Sequence, residues 1–445
     1  MTGTVPEIIV LNDYATLTGG STAVAIASAT ELAQRGFKVT YFSCVGPVAP
    51  QLQGVPGLEV VCLGQWELAK NPRRLQAAFS GLRNGGAVRA LRRLLSGRDP
   101  ARTLVHAHTW MKALSPAALE TVTARGFPLV VTLHDFFITC PNGGFFEHST
   151  GRICLRQPLS LACLGCECDR HNQAQKLWRF ARIFLQNRLF SLPQQVAHYV
   201  GVSHFSLDRL RPHLPAATPA TVVRNPVDFA DRGPSPVAAN RAFLFIGRLV
   251  PEKGVRLLAQ AARATGLPVT FVGEGELLPE LRQLCPQARF TGWLDAAGIR
   301  AELARARALV FPSLWYETLG LVAIEAAAAG VPTLVADGCA ATDHIRHEEN
   351  GLHFTHGSAT SLAGAMQRLA ADDALAARLG AAAYRWYWRD PWTAERHVDD
   401  LLEVYRSLDP RSWAAEGGTR PPDAFQHAPI GKTRPEAGLH HLESC

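Results

Sequence analysis

No apolar run in the sequence is long enough to cross a bilayer, so a membrane-spanning helix is not expected. The start, MTGTVPEIIVLNDYA, shows neither a basic leader segment nor a cleavage site. Export is therefore not expected, and the ten cysteines should be reduced in a cytoplasmic setting. Charged residues make up 19% and apolar residues 47%, a balance that excludes a disordered chain. The sequence also lacks any recognised nucleic-acid-binding motif, so no nucleic-acid partner is expected despite a net charge of +7.

What that charge does ask for is an anion, whether a nucleotide or a lipid surface. Arg73, Arg74, Arg83, Arg89, Arg92, Arg93 and Arg98 interleave with leucine, valine and phenylalanine in a helical pattern broken at Gly85-Gly86. A second stretch from Lys176, KLWRFARIFLQNRLF, mixes Lys176, Arg179, Arg182 and Arg188 with aromatics. Both have the pattern of basic amphipathic helices that lie on an anionic membrane, and equally of surface helices packed on a sheet.

At 445 residues the chain is too long for one core and predicts two domains. Strands are expected at 7–12, 37–43, 58–63, 103–107, 128–133, 198–202 and 221–224, with helices between them. That alternation describes a parallel sheet wound on both faces, with ligands beyond the carboxyl ends of its strands. Thr18, Gly19 and Gly20 follow the first strand, where backbone approaches a ligand closely. His106 and His108 fall at one strand end, His134 at the next and Ser203 at another; His134 is the strongest functional candidate. Residues 228–241, DFADRGPSPVAANR, read as an interdomain linker, and a second series of strands follows at 242–246, 268–272, 289–292, 308–311 and 332–336.

Residues 140–170 interrupt the first series with Cys140, Cys154, Cys163, Cys166 and Cys168 in a loop too long for a plain connection. Closely spaced reduced thiols predict a structural zinc site on Cys140, Cys154, Cys163 and Cys166, with separate buried thiols as the alternative.

The chemistry is expected around FPSLWYETLGLVAIEAAAAG, residues 311–330. A strand and a Pro-Ser loop lead to a helix expected over 318–329, which sets Glu317 just before the helix and Glu325 inside it. Eight residues of helical rise separate the two carboxylates by about 12 Å. Between them lie free backbone N–H groups at the positive end of a helix dipole, which bind phosphate. Arg248 and Lys253, beside another helix start, suit a pyrophosphate. Hydroxyls, a diphosphate and a ribose would engage these features in turn, which describes a nucleotide sugar.

Taken in order, TGGS, TLHDFFITCPNGG, VRNPVD, FIGRLVPEKG, VGEGE and FPSLWYETLGLVAIEAAAAGVPTLVAD resemble the retaining glycosyltransferases of group 1, also called family 4. The resemblance runs over roughly residues 7 to 405. It implies an α/β fold of the GT-B type, two Rossmann-like domains facing a cleft. The N-terminal acceptor-side domain would take residues 1–228 and the nucleotide-sugar-binding domain 229–391. A helix at 392–408 would cross back to the N-terminal domain, and 409–445 form a tail expected to be disordered.

Carried over residue by residue, the resemblance gives Gly20 the donor phosphate, Arg248 and Lys253 the leaving diphosphate, and Glu317 the transferred sugar. Glu325 takes the ribose, His134 the sugar from across the cleft, and the backbone of Gly320 and Leu321 the sugar and phosphate. By the same analogy, backbone groups near Thr291 to Trp293 would hold the base. Thr318-Leu319 stands where the family has Gly-Phe, so sugar contacts should differ. No D-x-D occurs in the sequence, in keeping with catalysis that needs no metal or other cofactor. The implied function is transfer from a UDP- or GDP-sugar to a glycan or lipid-linked acceptor on the cytosolic face of a membrane. A nucleotide-sugar epimerase, or a non-catalytic anion- or lipid-binding protein on the same fold, is the alternative.

Overall fold

A computed structural model describes residues 6–408; the tail expected at 409–445, with Cys445, lies outside them. The N-terminal strands are β1 Glu7–Tyr14, β2 Lys38–Val45, β3 Leu58–Cys62, β4 Thr103–Ala107 and β5 Leu129–Leu133. A hairpin of β6 Phe146–Glu147 and β7 Arg152–Ile153 follows, then β8 His198–Gly201 and β9 Ala220–Val222. Apart from the hairpin these form one seven-stranded sheet, β3-β2-β1-β4-β5-β8-β9, in which every pairing is parallel. Such a sheet is covered on both faces, and its strands are accordingly apolar almost throughout rather than alternating. All eight residues of β1 are buried.

The C-terminal strands are β10 Ala242–Ile246, β11 Val269–Val272, β12 Arg289–Gly292, β13 Ala306–Phe311, β14 Thr333–Ala336 and β15 Gly351–Phe354. They form a second parallel sheet in the order β12-β11-β10-β13-β14-β15. In each sheet the chain starts in the middle and winds outward in both directions. The reversal leaves a crevice at the carboxyl ends of the central strands. The short edge strand β15 was not expected from the sequence.

The helix Ala394–Leu408 packs on the N-terminal domain. Val398, Leu401 and Tyr405 sit in the core under β1, and His397 meets Ser28 at 2.8 Å. Tyr405 reaches further, its hydroxyl 2.6 Å from His106 Nδ1.

Glycine governs how the loops meet at the carboxyl edge of the second sheet. Gly254 has φ 69°, and a Cβ there would lie 1.8 Å from the carbonyl oxygen of Pro312. Gly273, at φ 127°, would put its Cβ 2.1 Å from the carbonyl oxygen of Gly247. Any side chain at either position forces backbone apart. The variant Gly254→Ala should therefore lose about 2–4 kcal/mol of stability, read as a lower denaturant midpoint at unchanged slope. An unchanged midpoint would show that the contact yields.

Candidate functional site

Lys253 and Glu317 meet at the centre of the cleft. Lys253 Nζ donates to Glu317 Oε1 at 2.5 Å, and the Ser313 hydroxyl donates to the same oxygen at 2.7 Å. Burial raises the Glu317 carboxyl, but the Lys253 charge and these hydrogen bonds outweigh it and hold the pKa below the ordinary glutamate value. Glu317 itself has φ 53°, in the left-handed region. A non-glycine residue there is strained, and the surrounding bonds keep it in place.

The helix begins at Leu321, not at Thr318. Glu317 at φ 53° and Gly320 at φ 84° are both left-handed, so the eight positions between the carboxylates are not a continuous helix and the 12 Å drawn from helical rise does not apply. Gly320 is the cap residue, and no side chain bonds the first turn; the Ala323 N–H turns back to the Gly320 carbonyl at 2.9 Å, which leaves those of Leu321 and Val322 available to an anion. Gly20, at the first turn of the helix Gly20–Gln34, faces this point from the other domain: a Cβ on Gly20 would lie 2.8 Å from Leu321 Cδ1. Two helix N-termini thus converge across the cleft.

Thr318, which departs from the family pattern, ties that loop to the N-terminal domain. Its hydroxyl donates to the carbonyl of His134 at 3.0 Å, and its own carbonyl accepts from the Ser203 hydroxyl at 2.6 Å. His134 is half-buried, and desolvation, helped by His397, lowers its pKa to about 3, so it stays neutral at physiological pH. His134 Nε2 lies 2.9 Å from His108 Nδ1. Nothing local singles out His108, since a single histidine at a strand end is usually structural; its contact with His134 is visible only once β4 and β5 pair. His106, bonded to Tyr405 and Thr132, belongs to the core.

Glu325 stands on the helix Leu321–Ala328, and its carboxyl makes no hydrogen bond or ion pair to any described residue. Burial raises its carboxyl to about 7, with Arg300 opposing weakly. A half-buried acid without a partner fits a position that ligand hydroxyls complete. Arg248 is 58% exposed, its Nη2 3.5 Å from Glu252 Oε1. Glu252, whose side chain is only 3% exposed, is also approached by Arg170 and His148 from the N-terminal domain. Glu252 carries no expectation from the sequence beyond its place between Pro251 and Lys253. Trp293 is exposed just beyond β12.

The zinc set Cys140, Cys154, Cys163 and Cys166 is not assembled. Among the described residues no group of three or more His, Cys, Asp or Glu side chains is placed to hold a metal ion. The loop is closed by other means. The buried Lys176 ammonium donates to the carbonyls of Cys163 and, at 3.2 Å, Cys166, and the Cys140 thiol bonds Asn142 Oδ1 at 3.1 Å. Burial first of all pushes the Cys140 thiol up to about 11 and Cys168 up to about 12, so both stay protonated.

A family model described as Glycosyl transferases group 1 matches residues 231–386, and one described as Glycosyltransferase Family 4 matches residues 18–231. Glycogen synthase of Mycobacterium tuberculosis is 35% identical over 185 residues, 38% of this chain and 44% of the relative. The chain thus spans less than half the length of that relative. D-inositol 3-phosphate glycosyltransferase of Rhodococcus erythropolis is 27% identical over 414 residues, 87% of this chain and 86% of the relative. Among solved structures, sucrose-phosphate synthase of Thermosynechococcus elongatus superimposes with a TM-score of 0.68 at 19% identity, covering 92% of this chain and all of that one. Anabaena HepE in complex with UDP-glucose gives 0.61 at 18%, covering 90% and 100%. At this identity the structures establish the fold, the GT-B pair of Rossmann-like domains expected from the sequence.

The raised carboxyl of Glu325 has a measurable sign. Its folded pKa lies above its unfolded one, so its stability contribution is full below about pH 4.5 and lost as pH rises through about 7. Glu325→Gln should therefore match wild type at pH 4.5 and exceed it by about 1–3 kcal/mol at pH 8. Equal pH profiles of the unfolding free energy would place Glu325 in solvent.

Proposed function

The chain belongs to the glycosyltransferases of group 1, and from that premise we propose that it moves a sugar from a nucleoside diphosphate sugar to a glycan or lipid-linked acceptor. One observation carries the reading: the buried Lys253–Glu317 pair lies beside the uncapped N-terminus of the helix Leu321–Ala328, opposite Gly20. A diphosphate seated there would meet Lys253, Arg248 and the free N–H groups. Fixed positive groups stabilise a leaving diphosphate without reorganisation. Glu317, held ionised, would accept from hydroxyls of the sugar, and Glu325 from those of the ribose. His134, neutral and opposite, would hydrogen-bond the sugar.

The transfer breaks the bond from the anomeric carbon to the diphosphate oxygen and forms one to the acceptor oxygen. In the same-face course that family likeness implies, the acceptor proton passes to the departing phosphate oxygen and configuration is retained. The positive charge for this comes from Arg248 and Lys253. A nucleotide-sugar donor is also supported by the neighbouring structure solved with UDP-glucose.

Glu317→Gln keeps the shape of the site and should lower transfer at least about 100-fold with little change in melting temperature. Lys253→Met should do the same to transfer but also cost about 3–5 kcal/mol, since it strands a buried carboxylate. A thermal-shift screen against UDP, GDP, ADP and their sugar conjugates would name the base. Wild-type transfer rates in Glu317→Gln would remove the site assignment.

For the acceptor side we infer contact with an anionic membrane surface. No helix among the described residues is long and apolar enough to cross a membrane. The basic stretch 73–98 forms two helices, Arg74–Leu82 and Gly85–Leu95, broken at Arg83-Asn84 rather than at Gly85-Gly86, which open the second. The helix Gln173–Phe184 turns cations inward, Lys176 and Arg182 being buried and Arg182 donating to the Met111 carbonyl at 2.6 Å. The helix Arg74–Leu82 does the opposite. It buries only Ala77 and Gly81, against Trp178, and leaves Leu75 80% and Phe79 73% exposed beside exposed Lys70, Arg73, Arg74 and Arg83. Backbone bonds from Gln65 to Cys44 and from Leu68 to Lys112 attach this stretch to loops at the carboxyl edge of the sheet, where an acceptor enters. Leu75→Asp with Phe79→Asp should weaken binding to phosphatidylglycerol vesicles by about tenfold or more. Undiminished binding would exclude this face.

A further inference from the structure

The cysteine-bearing loop at 140–170 carries no metal cage, yet it reaches across the cleft and touches the donor side in two places. Gly144 lies against Trp315, close enough that a Cβ would be 3.0 Å from the ring, and Lys253 Nζ stands 5.5 Å over that same ring. Arg170, at the end of the loop, sets Nη2 2.6 Å from Glu276 Oε1 and Nη1 3.5 Å from Glu252 Oε1. Its backbone is fixed from both sides: Asp169 pairs with Arg179 at 3.3 Å and accepts from the His171 N–H at 2.9 Å.

Glu252 is the buried partner in this contact. Its backbone carbonyl accepts from Leu314 N–H at 2.9 Å, which fixes the main chain from which the side chain projects. A carboxylate this buried has to keep a counter-charge. Two guanidinium groups share the one oxygen: Arg248 at 3.5 Å from its own domain and Arg170 at 3.5 Å from the other. Without Arg170, Arg248 would have to serve both Glu252 and a bound diphosphate.

We propose that Arg170 is a positioning residue for the donor diphosphate, holding Glu252 from the opposite domain so that Arg248 is free to turn to phosphate. The proposal rests on the donor-site reading above. It makes the loop part of the donor site, engaged only when the two domains meet. Arg170 does not touch the reacting atoms; it acts through Glu252, with Glu276 steadying its second nitrogen.

Two measurements on the full chain decide it. Amide hydrogen exchange without ligand should rise about tenfold across residues 140–172 in Arg170→Met, since the loop loses its grip on the other domain. Unchanged exchange overturns the proposal whatever the site binds. In titrations with UDP and GDP, Arg170→Met and Glu276→Gln should each bind the preferred nucleotide about three- to tenfold more weakly. The double variant should be no weaker than Arg170→Met alone, and Arg170→Lys should recover part of the loss. Equal affinity in all variants overturns the proposal. Wild-type protein that binds neither nucleotide would instead overturn the donor-site reading, with the exchange experiment still deciding whether Arg170 holds the loop to Glu252.

Discussion

Backbone touches backbone where the loops of the C-terminal sheet come together, and the candidate site depends on that contact. Gly254 fits against Pro312, Gly273 against Gly247 and Gly275 against Leu249, each at a distance no Cβ tolerates. The charged groups are the immediate neighbours of these glycines: Arg248 follows Gly247, Lys253 precedes Gly254, and Glu276 follows Gly275. Side chains anchored to such loops inherit their rigidity, which is what a site that must place charge in advance requires. The same packing fixes Glu252 between them.

Burial then sorts the ionisable groups into different states. Glu317 and Glu325 are eight residues apart and both largely shielded, but only Glu317 has a cation and hydroxyl in contact. It stays ionised while Glu325 is pushed up to about 7. His134 is driven the other way and remains a neutral hydrogen-bonding group. One polar cleft therefore offers a permanent anion, a carboxyl able to take either form and a neutral ring, with no change of backbone between them.

Much of the architecture was legible because parallel strands announce themselves. The segments 103–107, 242–246 and 289–292 agree with β4, β10 and β12 residue for residue, each being a compact apolar or β-rich run bounded by turn residues. The strand β15 was missed because Gly351–Phe354 is four residues long and includes a glycine and a histidine. The helix start was misplaced because Thr318 and Leu319 carry no local sign that Glu317 and Gly320 are left-handed. Zinc was expected from spacing alone, and spacing could not reveal that Lys176 fills the loop with an ammonium. The cluster around Glu252 was invisible for a simpler reason. Its members come from residues 148, 170, 248 and 276, and nothing local joins them.

The chain passes between its two domains twice, once after β9 and once before the helix Ala394–Leu408, and the two passages are bonded side by side. Val227 N–H donates to the Trp392 carbonyl at 2.7 Å, and Arg224 pairs with Asp390 at 2.7 Å. Two adjacent covalent tethers behave as a door hinge rather than a ball joint: they permit rotation about the line they define and resist twisting and sliding. A cleft built this way returns to one register each time it shuts. Thr318 then finds His134 and Ser203 again without a search, and the facing surfaces need no separate guide to align them.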